Sequence, residues 1–384
     1  MRTPTILIAA LVVLAAFAPA TVAGDVTATE FECEYPLELT DGTGETITLE
    51  DEPERVVTLM PSDAQTAFEI GADDRVVGLP IGPATEELEI DDQTDITEDD
   101  GFTVDVETVV GLEPDVVIAA SAADSQLVDQ LRELGIDVYH FGDEESVDDV
   151  LDNVAVTGAL TGECDGAETT IEWMDERLDL LESAVDAEDR PLVYYEMGEG
   201  FSAGAGTFQH ELLQTAGLEN LAAVVGVEGW GVVSEEDVLE EDPDWLLYGD
   251  DWPEEPFAES VEETAAYQDG NVVVVDSNDF NQPGPNVVFA VEELIEAVHP
   301  EAYEDVADEL AELDAAYEDE EPADDADDGG VDDADDGGAD DADDEAIDEP
   351  AADDGADDDS IPGFAVPAAI ASLLAVTGLL ARRQ

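Results

Sequence analysis

Basic residues are scarce in this chain of 384 residues, and lysine is absent. Lys and Arg together number 8 against 105 Asp and Glu, which gives a formal net charge of −97. A surface of that sign repels phosphate backbones and anionic head groups, which excludes nucleic acid and anionic lipid as partners. Self-repulsion of these charges opposes folding at low ionic strength, but molar salt shortens the Debye length to about 3 Å. The composition therefore predicts a halophilic protein.

Cysteine and histidine are also rare. In an exported chain the two cysteines, Cys33 and Cys164, permit one disulfide, which would tie the N-terminal region to the middle of the molecule. The three histidines are His140, His210 and His299. A zinc or manganese site needs convergent His and carboxylate ligands, and this small, scattered set does not predict one.

Motifs of catalysis are missing. The chain contains no Gly-x-Ser-x-Gly nucleophile elbow, no His-Glu-x-x-His zinc motif and no phosphate-binding loop. We therefore expect neither an enzyme nor a resident cofactor.

The two ends of the chain indicate export and anchoring. Residues 1–23 have an early Arg2, an apolar run and small residues, which is typical of a secretory signal peptide without a twin-arginine motif. Residues 361–384 form an apolar segment that ends in Arg382-Arg383-Gln384, long enough to span a bilayer with its basic end in the cytoplasm. We expect the body to lie on the extracellular face of the cell membrane, anchored at its C-terminus.

An acidic linker separates the body from that segment. Residues 318–360 are rich in Asp and Glu, lack basic residues and repeat the unit Asp-Asp-Ala-Asp-Asp-Gly-Gly at Asp324 and Asp332. Such a composition buries too little apolar surface to fold and predicts an extended, disordered tether. A calcium-binding repeat is the alternative, although the spacing lacks the pattern of an EF-hand loop.

The body contains an internal duplication. The stretch from Glu107 to Pro114-Asp115 and the stretch from Glu236 to Pro243-Asp244 share the same spacing, and both lead into apolar runs. Upstream of each lies an apolar run followed by a helical stretch that ends in Gly. Two similar lobes are predicted, and a cleft between lobes is a usual place for a ligand.

Short apolar runs alternate with helical stretches, which predicts an α/β fold with parallel-type sheets. The predicted strands are Val56–Met60, Val76–Leu79, Val116–Ala120, Val138–Phe141, Leu192–Met197, Trp245–Tyr248 and Val272–Asp276. Apolar residues recur at helical spacing in 163–186, which predicts one long helix joining the lobes, and Val287–Val298 is predicted to be the last helix. The expected divisions are an N-terminal lobe at 24–145, linking helices at 146–189 and a C-terminal lobe at 190–317.

Several ordered motifs resemble one protein family. Arg55-Val-Val-Thr-Leu-Met-Pro-Ser, Val109-Val-Gly-Leu-Glu-Pro-Asp-Val-Val-Ile and Leu131-Arg-Glu-Leu-Gly-Ile-Asp-Val together resemble the helical-backbone binding proteins of ABC importers. That family carries cobalamin, ferric siderophores and haem. The tail, with Pro362-Gly363-Phe364 before its apolar run, resembles the haloarchaeal C-terminal sorting signal, which implies cleavage by an archaeosortase and attachment of a lipid. An uncleaved transmembrane helix is the alternative.

The resemblance implies roles for particular residues. Glu107 and Glu236 match the two glutamates, one per lobe, that dock on a permease dimer served by ATPase subunits. Phe201 and Trp230 match loop positions of the cobalamin binder, and aromatic side chains suit a flat macrocycle. Trp252 and Phe280 follow predicted strands and are further candidates for ligand binding.

The chain also departs from the family pattern. Pro285-Asn286 replaces the Pro-Arg that follows the last strand, so an arginine often used on anionic siderophores is missing. Ile81-Gly82 replaces an aromatic residue of the first lobe. The predicted ligand is cobalamin or a related corrinoid, and a ferric siderophore or haem is the alternative.

Overall fold

The computed structural model describes residues 33–98 and 101–320. In this part of the chain, two parallel sheets and two antiparallel strand pairs are surrounded by helices. The strands are β1 Leu37–Thr40, β2 Thr46–Leu49, β3 Val56–Thr58, β4 Val76–Leu79, β5 Thr94–Asp95, β6 Val116–Ala119, β7 Val138–His140, β8 Leu192–Tyr195, β9 Phe201–Ala203, β10 Glu219–Asn220, β11 Trp230–Val232, β12 Trp245–Gly249 and β13 Val272–Val275. The α-helices are α1 Pro61–Glu69, α2 Val106–Gly111, α3 Ser125–Glu133, α4 Val147–Thr161, α5 Cys164–Val185, α6 Phe208–Thr215, α7 Leu221–Val224, α8 Glu235–Glu241, α9 Ala265–Asp269, α10 Ser277–Asn281, α11 Val287–Val298 and α12 Pro300–Glu320.

Each lobe is built on a parallel sheet. The first has the order β5-β4-β3-β6-β7 and the second the order β10-β8-β12-β13, and every neighbouring pair runs parallel. All residues of β3, β6 and β7 are buried, as expected for strands covered by helices on both faces. The predicted α/β fold with two parallel-type sheets is confirmed, and the predicted strands agree with the observed ones to within two residues at their ends.

The duplicated Pro-Asp has the same structural role in both lobes. Asp115 Oδ2 accepts hydrogen bonds from the backbone N–H groups of Glu54 and Arg55, just before β3. In the second lobe, Asp244 Oδ2 accepts from the backbone N–H of Leu192, the first residue of β8. Each aspartate therefore fastens its own strand to the start of the neighbouring one, and this requirement explains the repeat.

The predicted inter-lobe helix is confirmed as α5, which covers Cys164–Val185. It packs against both α4 and α12. The side chain of Arg177 on α5 is 2% exposed and forms ion pairs with Glu292 of α11 and Asp314 of α12. The apolar face of α5 and the two ion pairs of Arg177 therefore hold α5, α11 and α12 together.

The predicted helix Val287–Val298 is confirmed as α11, but the prediction that it is the last helix was wrong. A further helix, α12, begins at Pro300 and continues to Glu320, past the predicted start of the linker at 318. Pro300 stands at its first position, where proline is tolerated because its missing N–H would have no intrahelical partner. Tyr303, Val306, Leu310, Leu313 and Tyr317 recur at helical spacing and pack against the main core.

The beginning of the described chain is fastened to the first lobe at two points. Cys33 and Cys164 form a disulfide with a Cα–Cα distance of 5.9 Å, which joins the segment before β1 to the start of α5. The β1–β2 hairpin is held by Asp41, whose carboxylate pairs with Arg132 and accepts the backbone N–H of His140 at 3.2 Å. This hairpin was not predicted from the sequence.

The predicted signal peptide at 1–23, nearly all of the acidic linker and the C-terminal segment 361–384 lie outside the described residues. Among the helices of the described part, none is long and apolar enough to cross a membrane.

Candidate ligand-binding cleft

The strands of each parallel sheet end at one edge, and in open α/β sheets ligands bind outside the carboxyl ends of strands. In the first lobe, the buried carboxylate of Asp63 joins two such ends by accepting the backbone N–H groups of Met60, after β3, and Ala120, after β6, at 3.1 and 3.0 Å. Burial is the main cause that raises the pKa of Asp63 to about 7. This rigid edge carries α1.

The second lobe approaches this edge through the loop between α10 and α11. A Cβ atom added to Gly284 in that loop would lie 2.4 Å from Oε1 of Gln65 on α1. A side chain at this position would therefore require Gln65 to move, so the two lobes are in close contact here. The position of Gly284 therefore locates one boundary of the cleft.

Phe201 and Trp230 form an aromatic pair at the second lobe. They lie on the antiparallel strands β9 and β11, in which Trp230 is paired with Ala203. Their rings are nearly parallel, with an interplanar angle of 13° and centroids 6.2 Å apart. Trp230 is 45% exposed, and Phe201 is half-buried. An exposed pair of parallel rings can bury a large part of a flat apolar ligand with little loss of side-chain entropy.

A buried carboxylate fixes the loop that leads to this pair. Glu196, 3% exposed, follows β8, accepts the phenol O–H of Tyr194 and accepts the backbone N–H of Gly200 at 2.8 Å. The loop needs such support because Gly198, Glu199 and Gly200 all have positive φ, at 96°, 53° and 81°. Burial raises the pKa of Glu196, while the hydrogen bonds lower it. Glu196 thus positions Phe201.

The two further aromatic candidates have different environments. Trp252 is half-buried, and its ring lies so close to Gly198 that a Cβ there would come within 2.6 Å of it. Phe280, predicted to lie on a loop at the cleft, is instead fully buried in α10 and packs edge-on against Tyr195, with centroids 4.9 Å apart. Its side chain offers no surface to a ligand, because α10 turns it into the core below the cleft.

Carboxylates from both lobes meet beside α10. Burial is the main cause that raises the pKa of Asp279 to about 7, and the neighbouring charges of Asp276, Glu87 and Glu293 raise it further. Glu87 belongs to the first lobe, whereas the other three residues belong to the second. The acidic side chains around Asp279 therefore make its surroundings negative, and such surroundings disfavour an anionic ligand.

The arginines of the described part already form ion pairs or hydrogen bonds within the protein. Arg75, Arg132 and Arg177 pair with carboxylates. Arg55 and Arg190 donate to the carbonyl oxygens of Leu112 and Gln214. The chain has no lysine. These bonds leave no arginine of the described part held ready for a ligand carboxylate.

Glu107 and Glu236 occupy equivalent places in the two lobes. Each is exposed and is the second residue of a short helix, α2 or α8, whose N-cap side chain is Asp105 or Ser234. The sequence duplication is thus reproduced as a pair of surface carboxylates in matching local structures.

Two surface depressions lie elsewhere, and neither is lined by Phe201 or Trp230. One is lined by Glu235, Ala258, Glu259, Ser260 and Glu263, and the other by Val147, Glu182, Arg190, Glu211, Gln214 and Thr215. Their mostly charged and polar walls suit hydrated surface better than capture of an apolar macrocycle. Nor does the described part place three or more His, Cys, Asp or Glu side chains where they would hold a metal ion.

Sequence reasoning missed Glu196, Gln65 and Asp279. The Gly198-Glu199-Gly200 stretch was a usable signal, because glycines flanking a polar residue after a strand often mark positive φ. Gln65 and Asp279 had no local signal, since their importance depends on which residues the opposite lobe brings near them.

Comparison with known proteins gives three findings. A sequence profile of the family described as periplasmic binding protein matches residues 56–278. The cobalamin-binding protein of Halobacterium salinarum is 37% identical over 278 residues, which cover 70% of this chain and 75% of that protein. The third finding comes from solved structures.

Two of these structures illustrate the shared fold. The periplasmic heme-binding protein of a Roseiflexus species, in apo form, aligns with a TM-score of 0.56 at 21% identity, covering 65% of this chain and 99% of that one. The periplasmic vitamin B12 binding protein of Vibrio cholerae aligns with a TM-score of 0.55 at 20% identity, covering 64% and 96%. At these identities the likeness demonstrates the fold alone.

Proposed function

We propose, from the fact that this chain belongs to the periplasmic binding protein family, that it captures cobalamin or a related corrinoid between its lobes. Members of the family are substrate-binding subunits of ABC importers for vitamin B12, haem or siderophores, and they are not enzymes. The chain delivers its ligand to a permease, and ATP is hydrolysed by other subunits. The expectation that it is not an enzyme is confirmed by this membership.

The observation that carries the choice of ligand is the exposed, nearly parallel pair Phe201 and Trp230. A corrin ring presents a broad face to such a pair, and its amide substituents do not add negative charge. The cobalamin-binding protein of Halobacterium salinarum, at 37% identity, supports the same choice.

The alternative ligands are a ferric siderophore or haem, and charge distinguishes them from a corrinoid. Haem carries two propionates, and many siderophores are anionic. The acidic side chains around Asp279, Glu87 among them, disfavour such groups at the cleft, and Asn286 stands where the family pattern has an arginine. A neutral ferric siderophore remains compatible with the charge of the cleft.

The test is a titration of the purified full chain in molar KCl with cobalamin, haem, a neutral ferric siderophore and an anionic one. Tryptophan fluorescence would follow binding, and calorimetry would exclude optical artefacts. We expect cobalamin to bind and Trp230→Ala to weaken that binding by about tenfold or more, because the ligand loses a stacking surface.

Phe102→Ala is the matched control, since Phe102 is also an exposed aromatic residue but lies outside the pair. It should leave the affinity unchanged. Binding of a ferric chelate but not of cobalamin would move the substrate to iron and keep the importer function. If Trp230→Ala and Phe102→Ala changed the ligand affinity equally, the aromatic pair would not be part of the binding site.

Glu107 and Glu236 are proposed to dock the protein on the permease dimer. Two like-charged side chains on equivalent lobes suit a two-fold symmetric partner with arginines at matching positions. Charge reversal, Glu107→Arg together with Glu236→Arg, should abolish uptake and leave ligand affinity intact. Unchanged uptake by this variant would exclude these residues from docking.

The membrane anchor is proposed to be the C-terminal segment 361–384. Its Pro-Gly-Phe and terminal arginines support processing by an archaeosortase and transfer to a lipid, with an uncleaved helix as the alternative. Mass spectrometry of the mature protein from its native membrane distinguishes these outcomes, because only processing removes the terminal peptide and adds a lipid.

A further inference from the structure

The two helices that carry Glu107 and Glu236 share a second surface feature. Val110 on α2 and Leu239 on α8 each follow the glutamate by three positions, and they are 39% and 45% exposed. Residues three apart lie next to each other on a helix surface. Each lobe therefore presents the same pair, a carboxylate beside an exposed aliphatic side chain.

The matching extends to the way each helix is seated. Val109 directly precedes Val110 and is 0% exposed, and Val238 directly precedes Leu239 and is 1% exposed. These two buried valines anchor their helices in the core. Beyond each helix, Glu113 and Asp242 both adopt positive φ, at 49° and 45°. Scattered exposed aliphatic side chains are common on proteins. Here, however, two exposed aliphatic side chains stand at the same position of duplicated helices, and this coincidence requires a shared explanation.

Charge limits what can cover these side chains. Asp105 caps the helix that carries Glu107 and Val110, and Glu235, Glu236 and Glu240 lie on the helix of Leu239. A second copy of this chain, with its net charge of −97, and the chain's own acidic linker would both be repelled. The complementary partner carries basic side chains around an apolar recess, twice, in a two-fold arrangement.

We propose that Val110 and Leu239 make apolar contacts with the permease dimer, beside the ion pairs of Glu107 and Glu236, and that these contacts maintain docking at molar salt. The inference rests on the proposed docking function. Its physical basis is that exposed ion pairs are screened when the Debye length falls to about 3 Å, whereas burial of apolar surface is not weakened by salt.

The test measures binding of the full-length, ligand-loaded protein to the permease–ATPase complex of its own importer in lipid nanodiscs. Affinity is measured at about 0.2 M and about 3 M KCl, between which screening of exposed charges becomes nearly complete. The apolar variant is Val110→Thr with Leu239→Asn, which changes polarity and nearly preserves shape. The charge variant is Glu107→Gln with Glu236→Gln.

A matched control replaces exposed aliphatic residues that do not belong to the two helices, as Val224→Thr with Leu134→Asn. Both are exposed to a similar or greater degree, at 44% and 57%. We expect the apolar variant to dock at least about tenfold more weakly than the wild type at the higher salt, which is the scale of burying two aliphatic side chains. The control should change by less than about twofold, and the charge variant should lose more affinity at the lower salt.

Retained ligand affinity shows that each variant is folded. Wild-type docking at both salt concentrations together with unchanged docking of the apolar variant would overturn this inference and leave the importer function standing. Failure of the wild type itself to dock would remove the proposed docking function, and the inference would fall with it.

Discussion

The protonation state of the Asp279 side chain depends on residues of both lobes. Its pKa is raised to about 7, first by burial and then by Asp276, Glu87 and Glu293, while a hydrogen bond with Asn286 acts in the opposite direction. An unfolded aspartate has a pKa of about 4. Because the folded value is the higher one, the folded state holds this proton more tightly, and stability falls as pH rises from about 4 to about 7.

Replacement of this carboxyl group should therefore stabilise the protein at neutral and alkaline pH. We expect Asp279→Asn to raise the free energy of unfolding at about pH 8 and to flatten its pH dependence between about pH 4 and 7. Chemical denaturation at constant ionic strength measures both effects. Asp129→Asn, at an exposed position of α3, removes the same formal charge and should do neither. Equal shifts in the two variants would mean that net charge, and not the site, is responsible.

The paired elements α2–β6 and α8–β12 show how a short motif determines local structure. In each, a left-handed residue, Glu113 or Asp242, follows the helix, and the aspartate of the Pro-Asp after it fastens the next strand. Left-handed backbone costs a non-glycine residue roughly 1–2 kcal/mol. The same unusual conformation at both sites indicates that the turn geometry outweighs this cost.

Glycine at these positions should stabilise the turn. Glu113→Gly and Asp242→Gly remove the steric cost but add freedom to the unfolded chain, so we expect a net gain of about 0.5–1 kcal/mol each. Denaturant unfolding of each single variant measures the gain. Glu241→Gly, one residue earlier inside α8, is the matched control and should destabilise the protein by about as much. A loss of stability at Asp242→Gly would show that its side chain contributes more than the strain removes.

Across the body as a whole, the excess of carboxylates opposes compactness. The whole chain has 105 acidic and 8 basic residues, so few repulsions can be compensated by ion pairs. Arg177, which pairs with Glu292 and Asp314, lies where helices meet and is shielded from solvent. Many of the other carboxylates are exposed to water and respond to ionic strength.

Thermal stability should therefore increase strongly with salt. We expect the melting temperature of the purified protein to rise between about 0.1 M and about 3 M KCl, as the Debye length shortens from about 10 Å to less than 3 Å. Scanning calorimetry with sucrose at equal osmolality separates screening from solvent exclusion. A melting temperature that is the same in dilute buffer and in concentrated KCl would contradict the halophilic interpretation.

The amino-acid sequence alone determined the parts of this protein that depend on local pattern. Apolar runs such as Val116–Ala119 and the periodic face of α5 specify strand and helix because hydrophobic period reflects backbone geometry. The duplication predicted two lobes because the same local pattern specifies the same local structure twice. Composition predicted halophilic character, since charge is a sum over residues and needs no coordinates.

Only the tertiary structure decided which side chains meet and which are covered. Phe280 and Trp230 both follow or begin short strands, yet one is fully buried and the other is 45% exposed. Glu196 supports the loop before Phe201, and Glu87 reaches Asp279 from the opposite lobe. Burial and electrostatic environment depend on elements far apart in the chain, so local pattern carries no information about them until the lobes are packed.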